Sequence, residues 1–317
     1  MTVKDLLLIR NIPFEENVSL ASKSWIKFGG TVALWIAPTS ISQLEEICRY
    51  LYANDVTFDL VGQTSNIFFH STYNPQVVVS TVKVNQYKVE YDMLTCDCGC
   101  NVMKLAKEML AEGYAGFYGL VGLPGTVASA VVNNAGCFNC SISGMLTSAD
   151  VLMHDGTLKN FSKNDFGYEK RSSRFKRGEV KGIILSAKLR LQKAESIEEE
   201  YRKSEETKIY RNTHQEGPAK NLGSVFAKMT LKRKFRTIIA RIIAKVVGMS
   251  GFKNQKYVFK RMMLTLYGYR DLDKYISDRQ INIFVWQDVH AEEKFDRYKQ
   301  FMNMVFGGLS MEIEERV

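Results

Sequence analysis

A stretch of small residues, GLVGLPGTVASAVVNNAG, runs from Gly119 to Gly136. It is rich in glycine and alanine, contains a single proline and carries no charged residue. Repeated glycines indicate either that something approaches the backbone closely or that the backbone adopts a positive φ. Two interpretations follow: a buried strand between two turns, or a backbone cradle for a large ligand.

The composition is that of a globular protein. A chain of 317 residues with 45% hydrophobic and 24% charged residues can build two or three domains with full cores. The apolar run near the N-terminus is too short for a signal-peptide core, and no stretch reaches the uncharged length of a membrane-spanning helix. We therefore expect a cytoplasmic protein, in which the six cysteines are reduced thiols.

The first two thirds of the chain alternate between strand-like and helix-like segments. Residues 31–38 have the β-branched and aromatic content of a strand, and residues 181–192 alternate strongly between apolar and polar. Ser40 and Asn101 each precede an amphipathic segment and are predicted to cap a helix. This mixture indicates an α+β or an α/β fold.

The cysteines do not form a convincing metal site. Zinc sites combine two pairs of cysteines, or cysteines with histidines, and none of the four histidines lies near a cysteine in the sequence. Small buried thiols are therefore favoured over a metal site, and no metal is predicted. The residues concerned are Cys96, Cys98 and Cys100 in CDCGC, and Cys137 and Cys140 in a CxxC spacing.

A second small-residue loop is VGQTSNIFF, residues 61–69. Backbone N–H groups in such a turn can bind an anion, and Ser65 and Asn66 can add side-chain hydrogen bonds. Neither of the usual nucleotide-binding loops, GxGxxG after a strand or GxxxxGK[ST], occurs in the chain. The loop alone is weak evidence, because many turns between strands have this composition.

Three segments, taken in order, resemble the FAD-binding domain of vanillyl-alcohol-oxidase (PCMH) type. They are SWIKFGGTVALWIAP, VGQTSNIFF and GLVGLPGTVASAVVNNAG. More narrowly, the chain resembles the UDP-N-acetylenolpyruvoylglucosamine reductase family, also called UDP-N-acetylmuramate dehydrogenase. The resemblance implies an α+β fold: a two-subdomain FAD-binding module (1–76 and 77–193), a linker (194–219) and a smaller α+β substrate domain (220–317).

The resemblance implies FAD as the cofactor and NADPH as the hydride donor. It places the glycine-rich loop along the FAD pyrophosphate, where side chains would block the approach of the ligand. The implied cofactor-binding residues are Lys27, Gly62, Ser65, Asn66, Gly119, Gly125, Thr126, Asn134 and Gly136.

The resemblance continues through FGYEKRSSRFK, NLGSVFAKM, SDRQINIFVW and FGGLSMEIEERV. It implies that Arg171 holds the substrate carboxylate, that Ser224 donates a proton to carbon, and that Glu312 acts near the same carboxylate. The implied substrate-binding residues are Tyr168, Lys228 and Asn282. Each catalytic residue has an alternative: Arg171 as a solvated charge, Ser224 as a turn residue, and Glu314 in place of Glu312.

The implied reaction transfers a hydride from NADPH, through FAD, to the enolpyruvyl group of a UDP-N-acetylglucosamine-type sugar. This is UDP-N-acetylmuramate formation or a related polysaccharide step. The alternatives are an FAD-dependent oxidase or dehydrogenase of another sugar or alcohol, and a non-catalytic flavoprotein scaffold. The chain departs from the family pattern at Thr64, Ala128 and Ser129, which replace glycines, and these changes leave the sugar open.

The charge is concentrated late in the chain. No acidic residue occurs between Glu216 and Asp271, while the net charge of the whole chain is +9. Within 232–269, isoleucines and valines recur at helical spacing among lysines and arginines. This segment is predicted either to contact an anionic membrane at the inner face or to pack as a helix on its own domain. Nucleic acid is not predicted as a partner, because no recognition motif accompanies the charge.

Overall fold

The structure is a computed structural model, and it describes residues 1–217, 220–249, 251 and 254–317. Within these residues the chain forms ten α-helices, two 3₁₀ helices and seventeen strands. The α-helices are α1 (Val3–Ile9), α2 (Leu20–Lys23), α3 (Ile41–Ala53), α4 (Val102–Ala111), α5 (Val127–Val132), α6 (Ile142–Met145), α7 (Ile197–His214), α8 (Phe235–Met249), α9 (Gln255–Tyr267) and α10 (Ala291–Val305). The 3₁₀ helices are Lys163–Phe166 and Arg270–Tyr275.

The strands are short. They are β1 (Phe14–Ser19), β2 (Thr31–Ile36), β3 (Asp59–Val61), β4 (Ile67–Phe69), β5 (Val77–Ser80), β6 (Tyr87–Glu90), β7 (Met93–Asp97), β8 (Gly136–Cys137), β9 (Cys140–Ser141), β10 (Leu146–Met153), β11 (Leu158–Ser162), β12 (Gly182–Arg190), β13 (Asn221–Ser224), β14 (Phe226–Leu231), β15 (Ile283–Val285), β16 (Phe306–Met311) and β17 (Glu314–Arg316).

The chain divides into two compact units. Unit 1 contains Met1–Ser22, Gly30–Ser65 and Tyr73–Lys208, and unit 2 contains Lys23–Gly29, Asn66–Thr72 and Ile209–Val317. The boundaries predicted from the sequence for the two FAD-binding subdomains, the linker and the substrate domain remain predictions. Pro218 and Ala219 of that linker lie outside the described residues.

Unit 1 contains a four-stranded sheet in the order β1-β2-β5-β3. β1 and β2 are antiparallel, whereas β5 runs parallel to both β2 and β3. Helix α3 buries Leu44, Ile47 and Leu51 in the core of this sheet. As predicted, Ser40 caps α3, since its hydroxyl accepts a hydrogen bond from the Gln43 amide at 3.2 Å.

Unit 1 also contains a five-stranded antiparallel sheet in the order β11-β10-β12-β7-β6. Helix α4 packs on it through Leu105 and Met109. Asn101 caps α4 as predicted, because its side-chain oxygen accepts from the Lys104 amide at 2.8 Å. All six cysteines of the chain are free, and burial raises the pKa of Cys100 to about 12.

Unit 2 has a core of its own. Phe284, Trp286, Phe295 and Tyr298 form a buried aromatic cluster in which neighbouring rings lie 4.8–6.1 Å apart. Around it lie the strand pairs β13–β15 and β14–β16, which are antiparallel, and β4–β17, which is parallel. The mixture of helices and mainly antiparallel sheets confirms the predicted α+β class.

Candidate active site

The loop after β3 has a strained backbone. Thr64 has a φ of 56° and is buried, with 4% of its surface exposed. A left-handed backbone costs a residue with a β-carbon about 1–2 kcal/mol, and glycine avoids that cost. The conformation therefore explains why the resembling family has glycine at this position. In this chain, Thr64 adopts the same conformation at a cost in conformational free energy.

The two predicted cofactor loops contact each other in unit 1. The Gly125 amide donates a hydrogen bond to the side-chain oxygen of Gln63 at 2.9 Å. A β-carbon on Gly62 would lie 2.6 Å from the Thr126 hydroxyl oxygen, which is closer than atoms can approach. Gly62 is thus required where the loops meet, and Gly125 is required by its φ of 127°.

The glycine-rich stretch contains a helix, which excludes the interpretation as a buried strand. Thr126 begins α5 with a capping box: its hydroxyl accepts from the Ser129 amide, and the Ser129 hydroxyl accepts from the Thr126 amide at 3.0 Å. Ser129, which stands where the family has glycine, therefore has a local structural role.

The outer glycines of the same stretch are required by packing within the chain. A β-carbon on Gly119 would overlap the Cys137 carbonyl oxygen, and one on Gly136 would lie 2.8 Å from the Ser141 α-carbon. Gly119 thus allows the backbone before the helix to lie against the β8–β9 hairpin, and Gly136 allows the two strands of that hairpin to lie close together. Their predicted role in cofactor binding stays a prediction beside this packing role.

Three buried polar atoms near this stretch have no hydrogen-bond partner within the described part of the chain. They are the side-chain oxygens of Asn133 and Asn134 and the hydroxyl of Tyr168. The Asn134 side-chain nitrogen Nδ2 donates to the Glu169 carbonyl at 2.8 Å, which places the asparagine beside the Tyr168 segment. Burying an unpaired polar group costs about 1–3 kcal/mol, so a polar ligand fits here.

The Tyr168 ring is fixed and its hydroxyl is desolvated. It stacks on the Phe166 ring at 5.3 Å with 8° between the planes. Burial raises the pKa of Tyr168 well above its ordinary value, so the hydroxyl remains protonated and able to donate.

Arg171 lies in a tight turn of unit 1. Glu169 and Ser172 exchange two backbone hydrogen bonds of 3.1 Å, and Arg171 between them has a φ of 58°. The nearby Arg174 and Arg177 form ion pairs with Glu179 at 3.3 and 2.5 Å. Arg171 is half-buried in this turn, whereas Arg174 and Arg177 are exposed.

In unit 2 the structure brings together three of the predicted motifs. The Val225 amide, next to Ser224, donates to the Asn282 carbonyl at 2.9 Å. The Asn282 side chain accepts from the Phe226 amide at 3.0 Å and donates to the Phe226 carbonyl at 2.8 Å. Asn282 thus holds the backbone directly after Ser224 at two points, and its substrate role stays a prediction.

The C-terminal glutamates join the same cluster differently. The Glu312 amide donates to the Val225 carbonyl at 2.8 Å, and the Asn66 side chain donates to the Glu312 carbonyl at 3.0 Å. Glu314 forms an ion pair with Arg316 at 2.9 Å and Glu315 one with Lys299 at 2.8 Å. The Glu312 backbone thus contacts Val225, the residue directly after Ser224 at the end of β13.

The remaining predicted residues of unit 2 are more peripheral. Lys27 is exposed with a φ of 59°, in a turn closed by Ser24, whose hydroxyl accepts from the Phe28 amide at 2.9 Å. Lys228 is exposed on β14. Asn66 contacts the Glu312 segment within this unit, and its cofactor role, which the loop motif predicts, stays a prediction.

Two residues were missed by the sequence reasoning. Gln63 joins the two loops, and Asn133 has a buried unpaired oxygen. Asn133 could have been singled out from the sequence, because two adjacent asparagines directly after an apolar segment are unusual in a buried stretch. For Gln63 no local signal existed, because its partner Gly125 is distant in the sequence.

Comparison with known proteins identifies the family of the chain. Residues 32–162 match the FAD binding domain family. UDP-N-acetylenolpyruvoylglucosamine reductase from Carboxydothermus hydrogenoformans is 32% identical over 215 residues, which cover 68% of this chain and 70% of that protein. The enzyme of that name from Caldicellulosiruptor saccharolyticus is 31% identical over 184 residues, and there the chain spans 59% of the relative's length.

A solved structure shows the same fold. The crystal structure of UDP-N-acetylenolpyruvylglucosamine reductase from Thermus caldophilus superimposes with a TM-score of 0.67 at 19% identity. The superposition covers 96% of this chain and 100% of that one. The FAD-binding module of PCMH type followed by a smaller α+β domain is therefore the fold here, as predicted. The chain belongs to the UDP-N-acetylenolpyruvoylglucosamine reductase family of FAD-dependent oxidoreductases.

Proposed function

We propose that this protein reduces the enolpyruvyl group of a UDP-N-acetylglucosamine-type sugar nucleotide, with FAD as cofactor and NADPH as hydride donor. The observation that carries the proposal is the cluster of Ser224, Asn282 and Glu312 in unit 2. These residues come from separate motifs, and the backbone at Val225 and Phe226, directly after Ser224, is hydrogen-bonded to both Asn282 and Glu312.

When bound, FAD would supply the redox chemistry that links NADPH to reduction of the substrate alkene. Negative charge then develops on the adjacent carbon and its carboxylate. The Ser224 hydroxyl donates a proton to that carbon, which completes the reduction of the double bond. For Arg171 of unit 1 the resemblance implies a role in holding a substrate carboxylate, as a guanidinium can by two parallel hydrogen bonds, and we carry that role over as a proposal.

We assign the catalytic glutamate to Glu312. Its backbone position is fixed from both sides, by Val225 and by Asn66. The support for this assignment is that backbone position, since the Glu312 amide donates to the residue directly after Ser224.

We assign cofactor binding to Gly62, Ser65, Gly125, Thr126 and Asn134 of unit 1. The unpaired side-chain oxygen of Asn134 and the unpaired Tyr168 hydroxyl support a polar ligand beside this stretch. Six free cysteines support a reducing compartment, and we propose the cytoplasm, with peripheral contact to the inner face of the membrane.

The test combines flavin content with turnover. The purified protein should contain about one flavin per chain, and NADPH oxidation should require UDP-N-acetylglucosamine enolpyruvate. Ser224→Ala should lower turnover by roughly two to four powers of ten, the usual effect of removing a positioned acid. Ser310→Ala, an exposed serine of β16, is the matched control and should leave turnover unchanged.

Two outcomes would reject the proposal. A protein that neither contains nor takes up flavin is not a flavoenzyme. A flavoprotein that does not oxidise NADPH with the enolpyruvyl substrate, and whose reduced flavin reacts rapidly with oxygen, is an oxidase of another substrate.

A further inference from the structure

Helix α8 has one face that packs in unit 2. Thr237, Ala240 and Ala244 are each at most 2% exposed. The Thr237 hydroxyl lies 3.1 Å from the Tyr267 hydroxyl of α9, and the Arg236 guanidinium lies 5.7 Å from the Tyr267 ring. Small side chains on this face allow α8 to approach α9 closely. The core therefore accounts for only one side of the helix.

The opposite face of α8 is apolar and exposed. We call it the α8 stripe, and its side chains are between 48% and 79% exposed: Phe235, Ile238, Ile242, Val246 and Met249. They recur every third or fourth residue, which places them in one row along the helix. A contiguous row of large apolar side chains on a protein surface marks a site of contact with another protein or with a membrane.

Cations border the stripe. Arg241 and Lys245 are exposed, and at 3.6 residues per turn they lie about 100° and about 60° round the helix from the centre of the stripe, on the same side of it. Within the described residues neither forms an ion pair, and the sequence has no acidic residue between Glu216 and Asp271. The surface offers positive charge beside apolar side chains, which is complementary to an anionic apolar surface.

We infer that the α8 stripe lies in the interface of an anionic membrane. Its apolar row enters the acyl boundary, and Arg241 and Lys245 reach the phosphate groups. Within the described part of the chain, no helix is long and apolar enough to cross a membrane. The inference narrows the predicted segment 232–269, of which Ser250, Phe252 and Lys253 lie outside the described residues.

The test is cosedimentation of the full chain with vesicles of phosphatidylcholine mixed with phosphatidylglycerol, compared with phosphatidylcholine alone. The protein should bind the anionic vesicles at low salt and be released as salt rises. Arg241→Glu with Lys245→Glu should weaken binding by about 30-fold or more, the effect of losing two basic contacts. Lys159→Glu with Lys181→Glu, two exposed residues of unit 1, is the matched charge control.

A second pair of variants tests the apolar part. Ile242→Ser with Val246→Ser should also weaken vesicle binding, whereas Val289→Ser, at a residue 82% exposed elsewhere in unit 2, should not. Circular dichroism and flavin content should be unchanged in every variant. If the wild-type protein stays in the supernatant at low salt, the inference is wrong. It is equally wrong if light scattering shows a dimer that the serine variants abolish while vesicle binding is absent.

Discussion

Asn282→Ala tests how the Ser224 strand is held. The side chain makes two hydrogen bonds to Phe226, of 3.0 and 2.8 Å, and Phe226 is only 5% exposed. Each bond contributes about 1 kcal/mol, and leaving the buried backbone groups unpaired costs more, so we expect a loss of about 2–4 kcal/mol in the free energy of unfolding.

The assay is urea denaturation followed by tryptophan fluorescence, in a Trp35→Phe background. The two remaining tryptophans, Trp25 and Trp286, then both lie in unit 2 and report its unfolding. Asn303→Ala is the control, because Asn303 is exposed and its side chain makes no hydrogen bond to any described residue. The control should change the unfolding free energy by less than about 0.5 kcal/mol.

Kinetics then separate positioning from substrate binding. If Asn282 positions Ser224, kcat should fall at least tenfold in Asn282→Ala while KM for the sugar nucleotide changes little. If Asn282 binds the substrate, KM should rise and stability should be nearly unaffected. An unfolding free energy within about 0.5 kcal/mol of wild type, with unchanged kcat, would refute our account of the unit 2 cluster.

Three further predictions concern other residues. Gly119→Ala should prevent correct folding or lower the free energy of unfolding by more than about 3 kcal/mol, because its β-carbon would overlap the Cys137 carbonyl. The control Gly144→Ala in α6 should be nearly neutral. Soluble yield and melting temperature measure both variants. Arg171→Lys should lower turnover about 100-fold with little change in stability, while Arg174→Ala should not lower it. Hydrogen bonds from Lys274 and Tyr275 hold the pKa of Asp288 below its ordinary value, so the stability they add is present at neutral pH and is lost as pH falls through the lowered pKa. The difference in melting temperature between wild type and Asp288→Asn should therefore shrink from pH 7 to pH 3, and a constant difference would contradict this assignment.

Local features of the fold could be predicted from the sequence because their causes are local. Ser40 and Asn101 cap helices through bonds to residues three positions later, and the apolar spacing of α3 and α4 follows directly from the sequence. The thiols of CDCGC could be assigned to the core because no second ligand pair accompanies them. These predictions required no knowledge of distant contacts.

The roles of individual glycines could not be predicted in the same way. Gly119 and Gly136 are required by the β8–β9 hairpin, and Gly62 by Thr126, and such contacts depend on tertiary packing. For the same reason the sequence left Glu312 and Glu314 as alternatives. The hydrogen bond from the Glu312 amide to the Val225 carbonyl, which places Glu312 beside the end of β13, is a tertiary contact.

The assignment of Ser224 as proton donor is tested most directly by the anaerobic reoxidation of the reduced flavin by UDP-N-acetylglucosamine enolpyruvate, followed at the flavin absorbance. Wild-type protein reduced with NADPH should be reoxidised rapidly by this compound. Ser224→Ala should be reduced by NADPH at the normal rate but reoxidised roughly two to four powers of ten more slowly, since only the second step needs the proton. Equal reoxidation rates in wild type and Ser224→Ala, or no reoxidation of the wild type, would contradict the assignment of Ser224 as proton donor and of this substrate.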